Sequence, residues 1–204
     1  MKEVLVATNN KGKVKDFEEL FKPHGIQVIS LKDLDEPIEI EETGTTFEEN
    51  AILKAEETAK ILGKWVISDD SGLEIDALNG EPGVYSARYA GEPKDDEANI
   101  DKVLKGLTGV PEGSRHARFR CVLAIAGPGL ETQTFSGSCE GSIAFERKGE
   151  HGFGYDPIFH VPSEGKAMAE LTPSEKAAIS HRGEAMRKFE TELPKFIGKA
   201  GDRA

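Results

Sequence analysis

The chain has 204 residues, 37% hydrophobic and 31% charged, which suits a packed core and is too apolar for a disordered polymer. With 26 Lys and Arg against 37 Asp and Glu, the net charge is −11. That field disfavours nucleic-acid polymers and anionic membranes, and a small phosphate ligand would need a locally cationic pocket or a divalent metal. The two cysteines, Cys121 and Cys139, form no Cys-x-x-Cys and read as small buried residues.

In chain order, residues 3–7 read as a short buried strand. The apolar run there is too short for a signal peptide or a spanning helix, so a cytoplasmic location is expected. Thr8 to Lys13 is a polar turn, after which Val14, Phe17, Leu20 and Phe21 recur at helical spacing until Pro23-His24-Gly25. Residues 26–30 form a second strand, so a strand–loop–helix–strand unit opens the chain and favours an α/β class. Ile38 and Ile40 alternate with Glu39 and Glu41, which predicts a short strand over 38–41. Thr46 and Glu49 make a capping box for a helix that Gly63 stops, and Asn50 and Lys54 share one face of it.

Trp65 to Ser68 predicts a strand running into Asp69-Asp70-Ser71-Gly72. A helix follows over 95–107, then a hairpin of 115–126 and 131–139 around Gly127-Pro128-Gly129, and a third strand over 142–146. Gly149 to Pro162 is glycine-rich and reads as largely loop. Thr172-Pro173-Ser174-Glu175 starts a helix, with Gly183 as its predicted interruption before helical spacing resumes at Met186, Phe189 and Leu193. The expected architecture is one α/β domain over 1–204: a mixed β-sheet flanked by helices, in two lobes, with no linker separating independent domains.

Five groups of residues have the composition of chemistry. Thr8, Asn9, Asn10, Lys11, Gly12 and Lys13 lie between a strand and a helix N-terminus, where backbone N–H groups and lysines suit an anion; the segment reads equally well as a solvated turn. It is not a Walker loop. Asp69 and Asp70 are adjacent carboxylates at a strand end that repel unless a cation neutralises them; the alternative is an Asx-type turn. Glu39, Glu41 and Glu42 offer hard oxygens to Mg²⁺ beside Asp70, or are solvated surface. Phe153, Gly154, Tyr155 and Asp156 form a tight loop presenting a ring and a carboxylate, fit to stack on and edge-read a purine or to plug a core. Lys176 with His181 and Arg182 points into one cleft if the helix ends near Gly183; otherwise it is charged helix surface. The other histidines show no metal-ligand spacing.

Together these segments resemble the inosine-triphosphate pyrophosphatase family, also called Ham1-like or dITP/XTP pyrophosphatases. The resemblance rests on Thr8-Asn9-Asn10-Lys11-Gly12-Lys13, Glu41-Glu42-Thr43-Gly44, Glu49-Asn50-Ala51-x-x-Lys54-Ala55 and Ser68-Asp69-Asp70-Ser71-Gly72-Leu73. It continues with Pro82-Gly83-Val84-Tyr85-Ser86-Ala87-Arg88-Tyr89, Phe153-Gly154-Tyr155-Asp156-Pro157 and Ser180-His181-Arg182-Gly183. In order and spacing they cover about residues 4 to 190, and His151 ahead of Gly152 is the one departure, since many relatives carry a second glycine there.

The resemblance implies a long mixed sheet in two lobes with a substrate cleft between them, a homodimer, and Mg²⁺-dependent hydrolysis of ITP, dITP or XTP to monophosphate and pyrophosphate, with Mn²⁺ as a possible substitute. It assigns Asp70 as proton acceptor and metal-side carboxylate, with Glu41 as the second metal ligand and Glu42 as the alternative. Ser71 touches substrate and the 8–13 loop binds phosphates, while Phe153, Gly154, Tyr155, Asp156, Lys176, His181 and Arg182 form the nucleotide site. The chemistry agrees: a triphosphate brings about four negative charges to two carboxylates, and a divalent cation bridges that conflict while Lys11, Lys13 and Lys54 neutralise the remainder. The rival readings are a non-catalytic purine-nucleotide-binding module, a different phosphatase on related nucleotides, and a protein-interaction domain.

Overall fold

The computed structural model describes residues 3–201. Among them, seven strands form one sheet in the order β2-β1-β3-β4-β5-β6-β7. The strands are β1 (Glu3–Val6), β2 (Gln27–Ser30), β3 (Val66–Ile75), β4 (His116–Gly127), β5 (Leu130–Ile143), β6 (Phe159–Val161) and β7 (Lys166–Ala167). The sheet is mixed, as expected. β1 pairs in parallel with β2, from Glu3↔Gln27 to Val6↔Ser30, and with β3 at Leu5↔Val66. β6 pairs antiparallel with β5 and β7. The helices are α1 (Lys11–Phe21), α2 (Phe47–Leu62), α3 (Asp96–Gly106), α4 (Pro173–Ile179) and α5 (His181–Gly201).

The described residues divide into two compact units. The first holds the chain up to Asp70, Val122–Ser136 and the stretch from Ala185; the second holds Ser71–Cys121 and Gly137–Glu184. In the first, Val4, Val6, Phe17, Ala51, Ala55, Ile67, Leu123 and Ile125 are buried. An aromatic group joins them, with Phe189 edge-on to Phe21 at 6.0 Å and stacked on Phe196 at 5.7 Å. In the second, Leu73, Ile75, Ile100, Val103, Phe119, Ile158, Phe159 and Met168 form one apolar cluster. Burial of these side chains is the main term favouring each unit.

Helix boundaries set by local chemistry fall where the sequence puts them. Thr46 and Glu49 cap α2 reciprocally, and Gly63 ends it at φ 62°. Thr172 and Glu175 cap α4, with Pro173 in its first turn.

Several elements differ from expectation. Residues 37–44 are irregular, so the predicted 38–41 strand is absent. Ile38 and Ile40 are still half-buried and Glu39 and Glu41 exposed, because alternation sorts side chains without supplying the partner strand a ladder needs. No turn forms at 69–72; β3 runs through Asp69-Asp70-Ser71-Gly72 to Ile75. No separate strand starts at 142, since β5 continues unbroken to Ile143. Gly141 lies inside β5 because a Cβ there would collide with the His160 carbonyl and the Phe159 ring of β6. The stretch 149–162 is largely loop as expected, and its one strand is the three-residue β6. Finally, α4 stops at Ser180, three residues before Gly183. Ser180 is extended (φ −72°, ψ 156°), and its hydroxyl accepts the Gly183 N–H at 3.1 Å, so it starts α5 with an N-cap bond.

Candidate active site

In the first unit, β1 leads into the Thr8–Asn10 turn and α1 begins at Lys11, earlier than the apolar spacing indicates. The cause is Asn10, whose side chain accepts the Gly12 and Lys13 N–H groups at 2.9 and 3.2 Å. Those two amides are thereby used in the cap instead of facing an anion. The Thr8 hydroxyl accepts the Asn10 N–H at 3.2 Å, and Thr8 is buried. Lys13, on the first turn of α1, reaches Asp69 Oδ1 at 2.8 Å.

Placing the acidic pair inside a strand gives each carboxylate its own partners, although Asp69 still raises Asp70 by its charge. Successive strand side chains point to opposite faces, so Asp69 meets Lys13 of α1 while Asp70 meets α2. There Asn50 Nδ2 donates to Asp70 Oδ2 at 3.2 Å, and Lys54 Nζ lies 3.4 Å from Asp70 Oδ1. Lys54 also donates to the Asp69 carbonyl and to Glu42 Oε1, each at 2.8 Å. The i,i+4 spacing of Asn50 and Lys54 thus delivers both donors to one carboxylate.

Burial pushes the Asp70 carboxyl above its ordinary value of 3.8; Lys54 opposes that shift, Glu42 adds to it, Lys13 opposes it and Asp69 adds to it. Burial alone would lower the Lys54 ammonium, but the negative charges of Asp70, Glu42 and Asp69 outweigh it and leave Lys54 raised. The product is a buried, orientated carboxylate with heightened proton affinity, braced by a lysine that stays charged. A general base needs both properties.

In the second unit, the 152–156 loop is held by its own polar groups. The Asp156 carboxylate accepts the Phe153 N–H at 3.0 Å and the Lys176 ammonium at 2.5 Å. Asp96, at the start of α3, accepts the Gly154 N–H at 2.9 Å. Buried Tyr155 sends its hydroxyl to the Ser86 carbonyl at 2.7 Å. The Phe153 ring is left 43% exposed, with Lys176 Nζ 4.9 Å and Arg182 Cζ 6.0 Å from its centroid. Arg182 Nη2 donates to Ser71 Oγ at 3.1 Å. His181 stacks on Phe119 at 4.9 Å. An open aromatic face beside two donor-only cations is suited to a planar ligand carrying acceptor oxygens.

The Ham1 family model matches residues 4–192. The chain belongs to the Ham1 family. It is 60% identical over 189 residues to the dITP/XTP pyrophosphatase of Bacillus subtilis (strain 168), covering 93% of this chain and 96% of that one. It is 57% identical over 202 residues to the dITP/XTP pyrophosphatase of Bacillus anthracis, covering 98% of this chain and 100% of the relative. Among solved structures, it is similar to the Staphylococcus aureus Ham1 protein, with 52% identity and a TM-score of 0.87 over 95% of this chain and 99% of that chain. The HAM1 protein of Coxiella burnetii matches with 45% identity and a TM-score of 0.88 over 96% and 100%.

The structure of this Ham1 family member brings Lys13, Lys54 and Asp70 into one cluster of the first unit, and Ser71, Phe153, Asp156, Lys176 and Arg182 into another of the second. Glu41 lies outside the first cluster, exposed, while Glu42 enters it. Among the described residues, no three His, Cys, Asp or Glu side chains converge as a ready metal site. Sequence reasoning assigned no role to Asn50, Asp69 or Asp96. Asn50 left a signal in its spacing from Lys54 and Asp69 in its place beside Asp70, but the partners of Asp69 and Asp96 lie 56 and 58 positions away in the chain.

Proposed function

We propose that this chain is an Mg²⁺-dependent nucleoside-triphosphate pyrophosphatase. It cleaves the non-standard purine nucleotides ITP, dITP and XTP between the α and β phosphates and so clears them from the nucleotide pool. The observation that carries the reading is Asp70: a buried carboxylate of raised proton affinity, held between Asn50 and Lys54, in a chain 57–60% identical to dITP/XTP pyrophosphatases.

The donor set fits a hard divalent cation. Carboxylate oxygens are the ligands Mg²⁺ and Mn²⁺ take, and Asp70 lies within the negative charge of Glu42 and Asp69. Asp70 with Glu41 would hold the metal, the alternative being Glu42, which Lys54 joins to the Asp70 cluster. When bound, the ion offsets the charge between carboxylates and phosphate oxygens and polarises the phosphoryl group.

Asp70 accepts the proton of a water whose oxygen bonds to the α-phosphorus. The α–β bridging bond breaks, and its electron pair leaves with pyrophosphate. The Thr8–Lys13 segment binds the phosphates through groups other than the capped Gly12 and Lys13 amides, and Lys54 remains charged to offset what develops on the leaving group. Phe153 stacks the base, Lys176, Arg182 and His181 line its edge, and Ser71 contacts substrate. Tyr155, Asp156 and Gly154 act through the loop that they anchor. A homodimer in the cytoplasm, with no nucleic-acid or membrane partner, completes the reading. Among the described residues no helix is long and apolar enough to cross a membrane.

Chelation tests the metal. Pyrophosphate release from ITP should vanish in EDTA and return with Mg²⁺ or Mn²⁺. Full turnover in chelator would mean that the lysines alone suffice and would remove Glu41 from the site.

A further inference from the structure

Asn50 is a family-motif residue with no role in the reaction described so far. It lies in the first turns of α2 and is 1% exposed. Its Oδ1 accepts the Gly44 N–H at 2.8 Å, and its Nδ2 donates to Asp70 Oδ2 at 3.2 Å. A backbone N–H only donates, so Gly44 dictates which end of the amide faces it; the donor end must face Asp70. Lys54 stands at the other carboxylate oxygen, Oδ1. The two donors therefore fix the rotation of the carboxylate as well as its position.

The segment on the far side of the amide is equally constrained. A Cβ at Gly44 would lie 2.6 Å from Asn50 Oδ1 and 2.8 Å from Glu49 Cβ, so only glycine admits this contact. Glu49 accepts the Thr45 and Thr46 N–H groups at 2.7 and 3.2 Å, which fastens the same stretch to the start of α2. One buried amide thus ties the glutamate-bearing segment to the aspartate of β3.

We propose that Asn50 is a positioning residue for hydrolysis. It holds the Asp70 carboxylate in one orientation and couples it to the Glu41–Gly44 segment. The inference rests on the reading of Asp70 as proton acceptor. A residue that only capped the segment would support the fold without acting through Asp70.

The experiment measures kcat and KM for ITP with Mg²⁺, together with Tm, in wild type, Asn50→Ala, Asn50→Asp, Gly44→Ala, Asp70→Asn and the double variant Asn50→Ala/Asp70→Asn. Asn50→Ala should lower kcat about 10- to 100-fold and leave KM within about threefold, since misplacing a base costs turnover without weakening ground-state binding. Asn50→Asp keeps the Gly44 bond but sets a second carboxylate against Asp70, and should be at least as damaging. Gly44→Ala crowds the amide from behind and should lower kcat with the same KM pattern. These last two carry the test if Asn50→Ala does not fold. In the Asp70→Asn background, loss of Asn50 should cost less than about threefold, because residues acting as a unit are non-additive. Equal losses in both backgrounds, or a raised KM with kcat intact, would overturn the proposal. An inactive wild type, or an active Asp70→Asn, would instead strike the underlying reading.

Discussion

Asp70→Asn should lower kcat for ITP by about two to four orders of magnitude while raising the Tm of the metal-free protein by on the order of a few degrees. The kinetic half follows from loss of the proton acceptor. The stability half follows from the direction of its pKa. Burial holds Asp70 above its ordinary value of 3.8, so the folded state binds this proton more tightly than the unfolded chain does. Its stabilising contribution is present below the unfolded value and lost as pH rises through the folded one. At neutral pH the ionised carboxylate opposes folding, and a neutral amide of the same shape relieves that at the cost of setting its NH2 against one of the two donors, Asn50 Nδ2 or Lys54 Nζ. Lys54 keeps Glu42 and the Asp69 carbonyl as partners. Differential scanning fluorimetry in EDTA, beside a pyrophosphate assay, reads both halves. A variant with near wild-type kcat would remove Asp70 from catalysis, and a fall in Tm would mean that its bonds to Asn50 and Lys54 outweigh its desolvation. Gain of stability with loss of function marks a group kept for chemistry.

Discrimination against ATP should reach at least about 100-fold in kcat/KM. Hypoxanthine and xanthine carry an acceptor oxygen at C6, where adenine carries an amino donor. Arg182 and Lys176 are donor-only side chains beside the Phe153 ring, and each unmade buried bond costs about 1–3 kcal/mol. The Phe153 and Gly154 N–H groups are taken by Asp156 and Asp96, so the burden of reading the base falls on the two cations. Arg182→Ala should therefore narrow the ITP-over-ATP ratio by about tenfold or more. If the full preference survives, Arg182 does not read the base. Asp156 is a poor reader of the guanine 2-amino group, because its carboxylate is buried and engaged by Lys176 and Phe153.

Elements whose boundaries depend on neighbours in sequence were legible before the structure. Thr46, Glu49 and Gly63 bound α2, and Thr172, Pro173 and Glu175 start α4, because caps act over three or four residues. Elements that depend on distant partners were not. Asp69-Asp70-Ser71-Gly72 has the composition of a turn, yet β3 carries it as strand because pairing and packing outweigh local preference. Residues 38–41 alternate like a strand and lack a partner. The helix break expected at Gly183 falls at Ser180, where a hydroxyl cap rather than a glycine decides it.

The site divides in the same way. Residue types and motif order pointed to Lys13, Lys54, Asp70, Phe153, Lys176 and Arg182 without indicating how they pair. That Asp69 answers Lys13 while Asp70 answers Asn50 and Lys54 follows only from a strand that sends neighbouring carboxylates to opposite faces. Tyr155 looked like a ligand contact in the motif; its burial and its bond to the Ser86 carbonyl make it an anchor.

The most direct measurement is the identity of the first products from ITP with Mg²⁺, resolved by ³¹P NMR or ion-exchange chromatography at low conversion. Cleavage at the α-phosphorus should yield inosine monophosphate and pyrophosphate in equal amounts, with no inosine diphosphate at any time. Orthophosphate and inosine diphosphate as first products would place attack at the γ-phosphorus and contradict the pyrophosphatase reading.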